Sequence, residues 1–329
     1  MRALVTESSG FVGSHLVEEL VRRKYTVRVL LRGGAVSPWL QGLPIEHAQA
    51  DFQDAPALAK ALVGVDIIFH VGGVTKAVKV EEYIEGNVAS TKALLEAACS
   101  GRGASGVRRF VLVSSHAMIG PVKSAKDASD EDDIPCPVEA YGRAKMTAEL
   151  VARSYSHRIP ITIIRPPTVY GPRDKDCLEL FKMIKKGVNL YYGNAKKHMS
   201  IIYVRDLVQG MILAAASPKA CNRAYFLCND ASLTWRELQT AIKHTMKKRA
   251  LGIYLPAFTT SIAAFFGEII MKLTKKPLIV NREKAKLGRP RYWIASNKRA
   301  RAELRFDPKT DLADGLAETY MWYKENKWL

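Results

Sequence analysis

Tyr141 and Lys145 place a phenol and an ammonium one helical turn apart, on the same face of any helix that carries them. A cation so placed lowers the phenol's pKa, letting it exchange protons with a carbonyl or an alcohol near neutral pH. The pair alone is common on surface helices. Its position gives it meaning, because it follows Val111-Leu112-Val113-Ser114-Ser115, an apolar run whose end would project a hydroxyl from the carboxyl edge of a sheet.

A second constellation lies near the start of the chain. Directly after the first apolar run, Thr6-Glu7-Ser8-Ser9-Gly10-Phe11-Val12-Gly13 leads into an amphipathic stretch. Glycines between a strand and a helix let the backbone turn tightly and approach a pyrophosphate, which rests on the N–H groups of the helix start. Gly10 and Gly13 meet that need, whereas Glu7 stands where the first glycine is expected. It adds a β-carbon where positive φ is called for, a strain on the order of 1 kcal/mol, and a negative charge near the phosphates. Either the turn relaxes, with Glu7 pointing away, or the cofactor binds weakly, and Glu7→Gly is expected to tighten cofactor binding.

At the end of the second strand, where NAD-specific proteins place an acid for the ribose 2′-OH, this chain has Leu30, Leu31 and Arg32. A guanidinium without a neighbouring carboxylate binds a 2′-phosphate, so NADP(H) is the expected cofactor and NAD(H) the alternative. Asp51 can accept from the adenine amino group. Gly72 and Gly73 let the end of the fourth strand pass close to the cofactor.

The elements that must position these groups follow a βαβ rhythm. β-Branched apolar runs predict strands at 3–6, 27–31, 45–48, 67–70, 110–114 and 161–165, and amphipathic stretches predict helices at 13–23, 55–62, 87–99 and 141–154. A further strand at 224–228 follows a helix at 206–216 that Asp206 could cap. The predicted fold is α/β, a Rossmann-type doubly wound parallel sheet with a smaller, mostly C-terminal substrate lobe. The nucleotide-binding domain takes 1–171 plus about 199–229, and the lobe about 172–198 plus 230–329.

Composition bounds the rest. The chain of 329 residues is 48% apolar and 25% charged, the profile of a globular protein rather than a disordered or fibrous one. Its formal net charge of +18 suits an anionic partner. No nucleic-acid docking motif accompanies the cations, many of which fall in 243–249, 272–276 and 284–305. The five cysteines form no CxxC pair, which argues against zinc or a disulfide framework. With no signal peptide before the first strand, a cytoplasmic location is expected.

Residues 251–271 carry a single charge, Glu268, and from Ile262 the apolar positions recur at helical spacing. A buried lid or lobe helix is expected there. The alternatives are an interfacial helix lying on anionic lipid beside Lys272, Lys275 and Lys276, and a membrane span, which Pro256 and Gly267 weaken.

Together the glycine turn, Asp51-Phe52-Gln53-Asp54, His70-Val71-Gly72-Gly73, Asn87-Val88-Ala89-Ser90-Thr91, Ser114-Ser115, Tyr141 to Lys145, the stretch from Arg165 to Pro172 and Ile202-Tyr203-Val204-Arg205-Asp206 extend over nearly the whole chain. On them the chain resembles the extended short-chain dehydrogenase/reductase superfamily, which includes NAD-dependent epimerase/dehydratases, 3β-hydroxysteroid dehydrogenases and dihydroflavonol reductases; Glu7 is the main departure. The resemblance implies that Tyr141 is the acid/base, that Lys145 holds the nicotinamide ribose and lowers the tyrosine pKa, and that Ser115, or Ser114 if the register slips, bonds the substrate oxygen. Asn87 would organise the site. Cofactor contacts are implied at Thr6, Ser9, Gly10, Phe11, Val12 and Gly13, at Arg32, Asp51 and Phe52, at Val71, Gly72 and Gly73, and at Tyr141, Lys145, Pro167 and Thr168. No metal ligand set is implied.

The resemblance favours a carbonyl/alcohol oxidoreductase acting on an apolar steroid-, isoprenoid- or flavonoid-like small molecule. The alternatives are a sugar-nucleotide epimerase with tightly held NAD, and a non-catalytic NAD(P)-sensing regulator. A dehydratase is less supported, because His116 stands where dehydratases commonly carry an acid. His116 itself is expected to be an ordinary loop histidine, with substrate contact as the alternative. A homodimer through the helices containing Asn87 and Tyr141 is also implied, and peripheral contact with an anionic membrane is an open expectation from charge.

Overall fold

The computed structural model describes residues 1–33, 37–100, 106–192, 195–255, 286–288 and 290–329. Short aliphatic runs form β1 (Arg2–Val5), β2 (Thr26–Leu31), β3 (Ile45–Gln49), β4 (Ile67–His70), β5 (Arg109–Val113) and β6 (Ile161–Arg165). With β11 (Arg223–Phe226) they make a seven-stranded sheet, ordered β11-β6-β5-β4-β1-β2-β3, in which every pairing is parallel. This is the expected Rossmann-type sheet, and it draws in a strand from late in the chain.

Both sheet faces are covered, which is why these strands read as continuous apolar runs rather than alternating ones. Ala3, Val5, Val27, Val29, Ile67 and Phe69 point into one core, beneath α1 (Phe11–Arg22) and α7 (Val204–Ala216). Leu4, Leu30, Ile68, Phe110 and Leu112 point into the other, with α2 (Ala55–Ala61), α4 (Ser90–Cys99) and α5 (Ala140–Ser154). Fully burying a side chain such as Leu4 or Phe69 contributes about 1.5–3 kcal/mol.

The chain runs from β1 outward through β2 and β3, then returns to place β4 on the other side of β1. That reversal opens a crevice between the carboxyl ends of β1 and β4, the switch point where open α/β sheets bind ligands.

Outside this sheet, β7 (Thr168–Tyr170) pairs with β10 (Ile201–Tyr203), β8 (Val188–Tyr192) with β13 (Leu251–Leu255), and β9 (His198–Met199) with β12 (Leu233–Thr234) and β14 (Tyr292–Trp293). The helix Lys298–Leu304 packs Ala300 and Leu304 into the core beside α7. Asp206 does not cap α7, which begins at Val204. Its carboxylate accepts from the backbone N–H groups of Lys309 (3.2 Å) and Thr310 (3.0 Å), pinning the returning chain.

The apolar helix expected from residue 262 lies outside the described residues. Only Leu251–Leu255 of that stretch is described, as β13. Among the described residues, no helix is long and apolar enough to cross a membrane.

Candidate active site

The switch-point crevice is built first from the turn after β1. Gly10 N donates to the Glu7 carbonyl at 2.9 Å, and a β-carbon on Gly13 would sit 2.2 Å from that same oxygen. The first turn of α1 thus packs directly on the carbonyl of residue 7, and Glu7 is held at a φ of 53°. The turn has not relaxed to suit a side chain. Glu7 bears the left-handed strain, and its carboxylate pairs with Arg32 Nη2 at 3.5 Å. The Arg32 guanidinium lies 5.8 Å from the centroid of the Phe52 ring. Asp51 is exposed, with Oδ1 accepting from Gln53 N.

A buried chain of hydrogen bonds ties this turn to the far side of the crevice. Thr91 Oγ1 donates to the Asn87 carbonyl (2.6 Å), so its one proton is spent, and at 3.1 Å it must accept from His70 Nε2. His70 Nδ1 is then the acceptor for the Thr6 hydroxyl at 2.9 Å, and Thr6 Oγ1 accepts from Gly72 N at 3.2 Å. Burial holds the His70 pKa down to about 3, so the ring stays neutral and each proton in the chain has one place. Sequence reading gave no role to Thr91 or to the His70 ring. Their only signal was the placement of polar residues at the end of an apolar strand and on the following helix.

Asn87 sits in a π-helical turn, Glu85–Ala89, between α3 (Val80–Ile84) and α4. The sequence reading expected a regular helix from 87 to 99. The wider turn aims the side chain into the crevice, where Nδ2 donates to the carbonyls of Val74 (3.0 Å) and Tyr83 (2.8 Å). Its Oδ1 is buried without a partner among the described residues. A β-carbon on Gly73 would meet Asn87 Oδ1 at 2.4 Å and Lys145 Nζ at 2.6 Å, so only glycine lets these groups converge there.

Helix α5 brings the catalytic candidates. Glu139 caps it, its carboxylate accepting from Tyr141 N and Gly142 N at 2.6 Å each. Glutamate is not among the favoured capping residues, so the sequence alone did not reveal this function. Further along, Glu149 receives a buried two-pronged bond from Arg165 of β6, Nε at 3.0 Å and Nη2 at 2.8 Å, which fixes α5 against the sheet.

On this platform Tyr141 hydrogen-bonds Ser115. Ser115, at the end of β5, also accepts from Ala117 N at 3.1 Å, whereas the Ser114 hydroxyl is buried and has no partner among the described residues. The pairing is therefore with Ser115. His116 packs edge-on against Phe226 and Trp293, as an ordinary buried ring, its pKa lowered to about 4 by burial.

Burial pushes the Tyr141 phenol up to about 12, and the Ser115 hydrogen bond acts in the other direction. The Lys145 ammonium donates to the carbonyls of Val113 (3.0 Å) and Gly72 (3.4 Å), with Nζ 5.8 Å from the tyrosine ring centroid. Burial lowers Lys145 itself to about 8.

Of the other cofactor-side residues, Val71 lies beside Gly72 at the β4 end. Ser9, Phe11 and Val12 border the start of α1, and Pro167 and Thr168 stand between β6 and β7. The crevice fits a nicotinamide dinucleotide. It offers the N-terminus of a 12-residue helix with a tight glycine contact, the buried Ser8 hydroxyl and Asn87 Oδ1, which have no partner among the described residues, and a buried ammonium.

Comparison with known proteins agrees with this geometry. The chain is 27% identical to a ceramide reductase of Caulobacter vibrioides over 99% of this chain and 95% of that protein. It is 26% identical to a farnesyl-dihydroquinoline-oxide ketoreductase of Stigmatella aurantiaca over 83% of this chain and 81% of that one. It is 32% identical to a 3β-hydroxysteroid dehydrogenase/isomerase of Mycobacterium tuberculosis over 70% of this chain and 65% of that one. The fold matches UDP-glucose 4-epimerase of Thermotoga maritima with a TM-score of 0.82 at 20% identity, covering 99% of this chain and all of that one. Residues 3–228 match the model of the NAD dependent epimerase/dehydratase family. The chain belongs to that family, and is an NAD(P)-dependent enzyme of the extended short-chain dehydrogenase/reductase type.

Proposed function

We propose that the protein interconverts a carbonyl and a secondary alcohol on an apolar, steroid-, isoprenoid- or flavonoid-like small molecule, using NADP(H) in preference to NAD(H). The observation that carries the reading is the Ser115–Tyr141 hydrogen bond at the carboxyl edge of the sheet, with Lys145 and Asn87 converging on Gly73 beside it. The bound nicotinamide would supply or accept hydride at C4.

The chain's own residues handle the oxygen and its proton. Burial keeps Tyr141 protonated, the form that donates to a carbonyl oxygen during reduction. Ser115 orients that oxygen and shares the phenol's hydrogen bond. Lys145 and Asn87 Oδ1 hold the ribose, and the N-terminus of α1 holds the pyrophosphate. Arg32, at the end of β2, supports the NADP(H) preference.

Substrate is assigned to the lobe formed by 172–198 and 230–329, whose small sheets stand apart from the central one. The apolar character of 256–271 and the relatives named for ceramide, steroid and farnesylated substrates support an apolar ligand. The same reading includes a homodimer through α4 and α5, and peripheral contact of the basic chain with anionic lipid. Sedimentation and vesicle flotation test these two points.

A second reading, a sugar-nucleotide epimerase with retained NAD, is favoured by the family match and uses the same Tyr141 and Ser115. Mild denaturation with identification of any released cofactor, followed by NADPH oxidation across long-chain ketones, steroid ketones and UDP-sugars, separates the two. Ketone-dependent oxidation supports the reductase. Firmly retained NAD with UDP-sugar epimerisation overturns it.

A further inference from the structure

The Glu7–Arg32 pair joins two departures that are unrelated in sequence: an acid where the turn calls for glycine, and a guanidinium where NAD-specific proteins carry an acid. In the folded chain they meet. The Glu7 side chain leans across the start of α1, its Cγ 3.5 Å from where a β-carbon on Gly10 would stand. Its Oε1 lies 3.5 Å from Arg32 Nη2, with both side chains partly open to solvent. The backbone that carries it cannot swing away, because α1 packs on the residue 7 carbonyl.

A carboxylate on the end of β2 has therefore been restored, delivered from the neighbouring turn rather than from β2 itself. There it can do two things. Facing a ribose 2′-OH, it accepts a hydrogen bond, as the usual β2 acid does. Facing a 2′-phosphate, it repels the dianion and already occupies a guanidinium that the phosphate would need.

From this geometry we infer that Glu7 is the specificity-determining residue of the adenosine end, a built-in competitor for Arg32 that weakens NADP(H) relative to NAD(H). The inference rests on the proposed use of Arg32 as the 2′-phosphate ligand, and it narrows the NADP(H) preference that Arg32 alone would set. It also sharpens the meaning of Glu7→Gly. That change relieves backbone strain as well as charge and should help both cofactors, whereas Glu7→Gln keeps the strained turn and removes only the charge.

The test is direct binding of NADPH and NADH to the intact chain, read by nicotinamide fluorescence in wild type, Glu7→Gln and Arg32→Ala. Removing an exposed charge partner is worth about a fivefold change in affinity. Glu7→Gln should therefore tighten NADPH by several-fold, up to about fivefold, and leave NADH unchanged or weaker. Arg32→Ala should weaken NADPH by a similar factor and spare NADH. If Glu7→Gln shifts both cofactors equally, or neither, while Arg32→Ala still selectively loses NADPH, the role of Glu7 is overturned and that of Arg32 stands. If Arg32→Ala shows no selective loss, the use of Arg32 fails, and the inference fails with it.

Discussion

The two ends of the crevice are built on opposite principles. At the nicotinamide end Lys145, Asn87 and His70 are buried, and all of their polar side-chain atoms except Asn87 Oδ1 have hydrogen-bond partners among the described residues. At the adenosine end Glu7, Arg32 and Asp51 are open to water, and one ion pair does most of the organising. Burial makes the first end over-determined, since an unpaired polar group there costs several kcal/mol. The second end is held by interactions worth about 1 kcal/mol or less. On the proposed reading, chemistry is located where geometry cannot drift, and cofactor choice where single residues can change it.

This contrast can be broken in a graded series. Tyr141→Phe should lower kcat for ketone reduction by about 10²–10⁴-fold, the usual contribution of a positioned acid/base, with NADPH affinity held within about threefold. Retained turnover in a stopped assay would remove the catalytic end from the comparison.

Glu149→Ala would leave Arg165 charged and buried without its partner, a loss of about 3–5 kcal/mol measurable by denaturant titration. A change below about 1 kcal/mol would show that α5 is not fixed by this pair.

Ser115→Ala should reduce kcat/KM by about 10- to 100-fold, in the range of a lost charge-assisted hydrogen bond, while Ser114→Ala should leave it nearly unchanged. Equal effects would shift the substrate contact between the two serines.

The buried histidines make a pH prediction. His15, His70 and His116 have their pKa values lowered by burial to about 4, 3 and 4, below the ordinary 6.5. The unfolded chain therefore binds protons that the folded chain refuses. Folding stability is full above about pH 6.5 and falls as pH drops toward 4, by up to about 1.4 kcal/mol per unit for each ring. Urea melts between pH 4.5 and 7.5 check this, and His70→Gln should flatten the slope. A stability flat across that window would contradict the buried neutral rings.

The smallest effect is expected at the open end. Asp51→Asn should change NADH and NADPH affinity by no more than about twofold, because its carboxylate is solvated. A tenfold loss in a fluorescence titration would mean that the adenosine end is as firmly built as the other.

Much of this architecture is legible in the chain before it folds. A parallel sheet covered on both faces needs consecutive apolar residues, so β1, β2 and β4 announce themselves within a residue or two, and the turn of Gly10 and Gly13 lies between a strand and a helix, where a pyrophosphate site is expected. Tyr141 and Lys145 are on one face because helical spacing is local. Local pattern also shows that Glu7 should be strained, since the conformation follows from the turn.

Tertiary structure alone decided the contacts between segments distant in sequence. Whether Ser114 or Ser115 meets Tyr141 depends on the register of β5 against α5, and the direction of the Lys145 ammonium depends on which carbonyls ring it. The proton order from Asn87 through Thr91 and His70 to Thr6 exists only once β1, β4 and α4 are side by side. The pairing of Glu7 with Arg32 has the same origin. Periodicity reports which face a residue occupies, but a carboxylate and a guanidinium 25 residues apart find each other only when β1 and β2 pair in register.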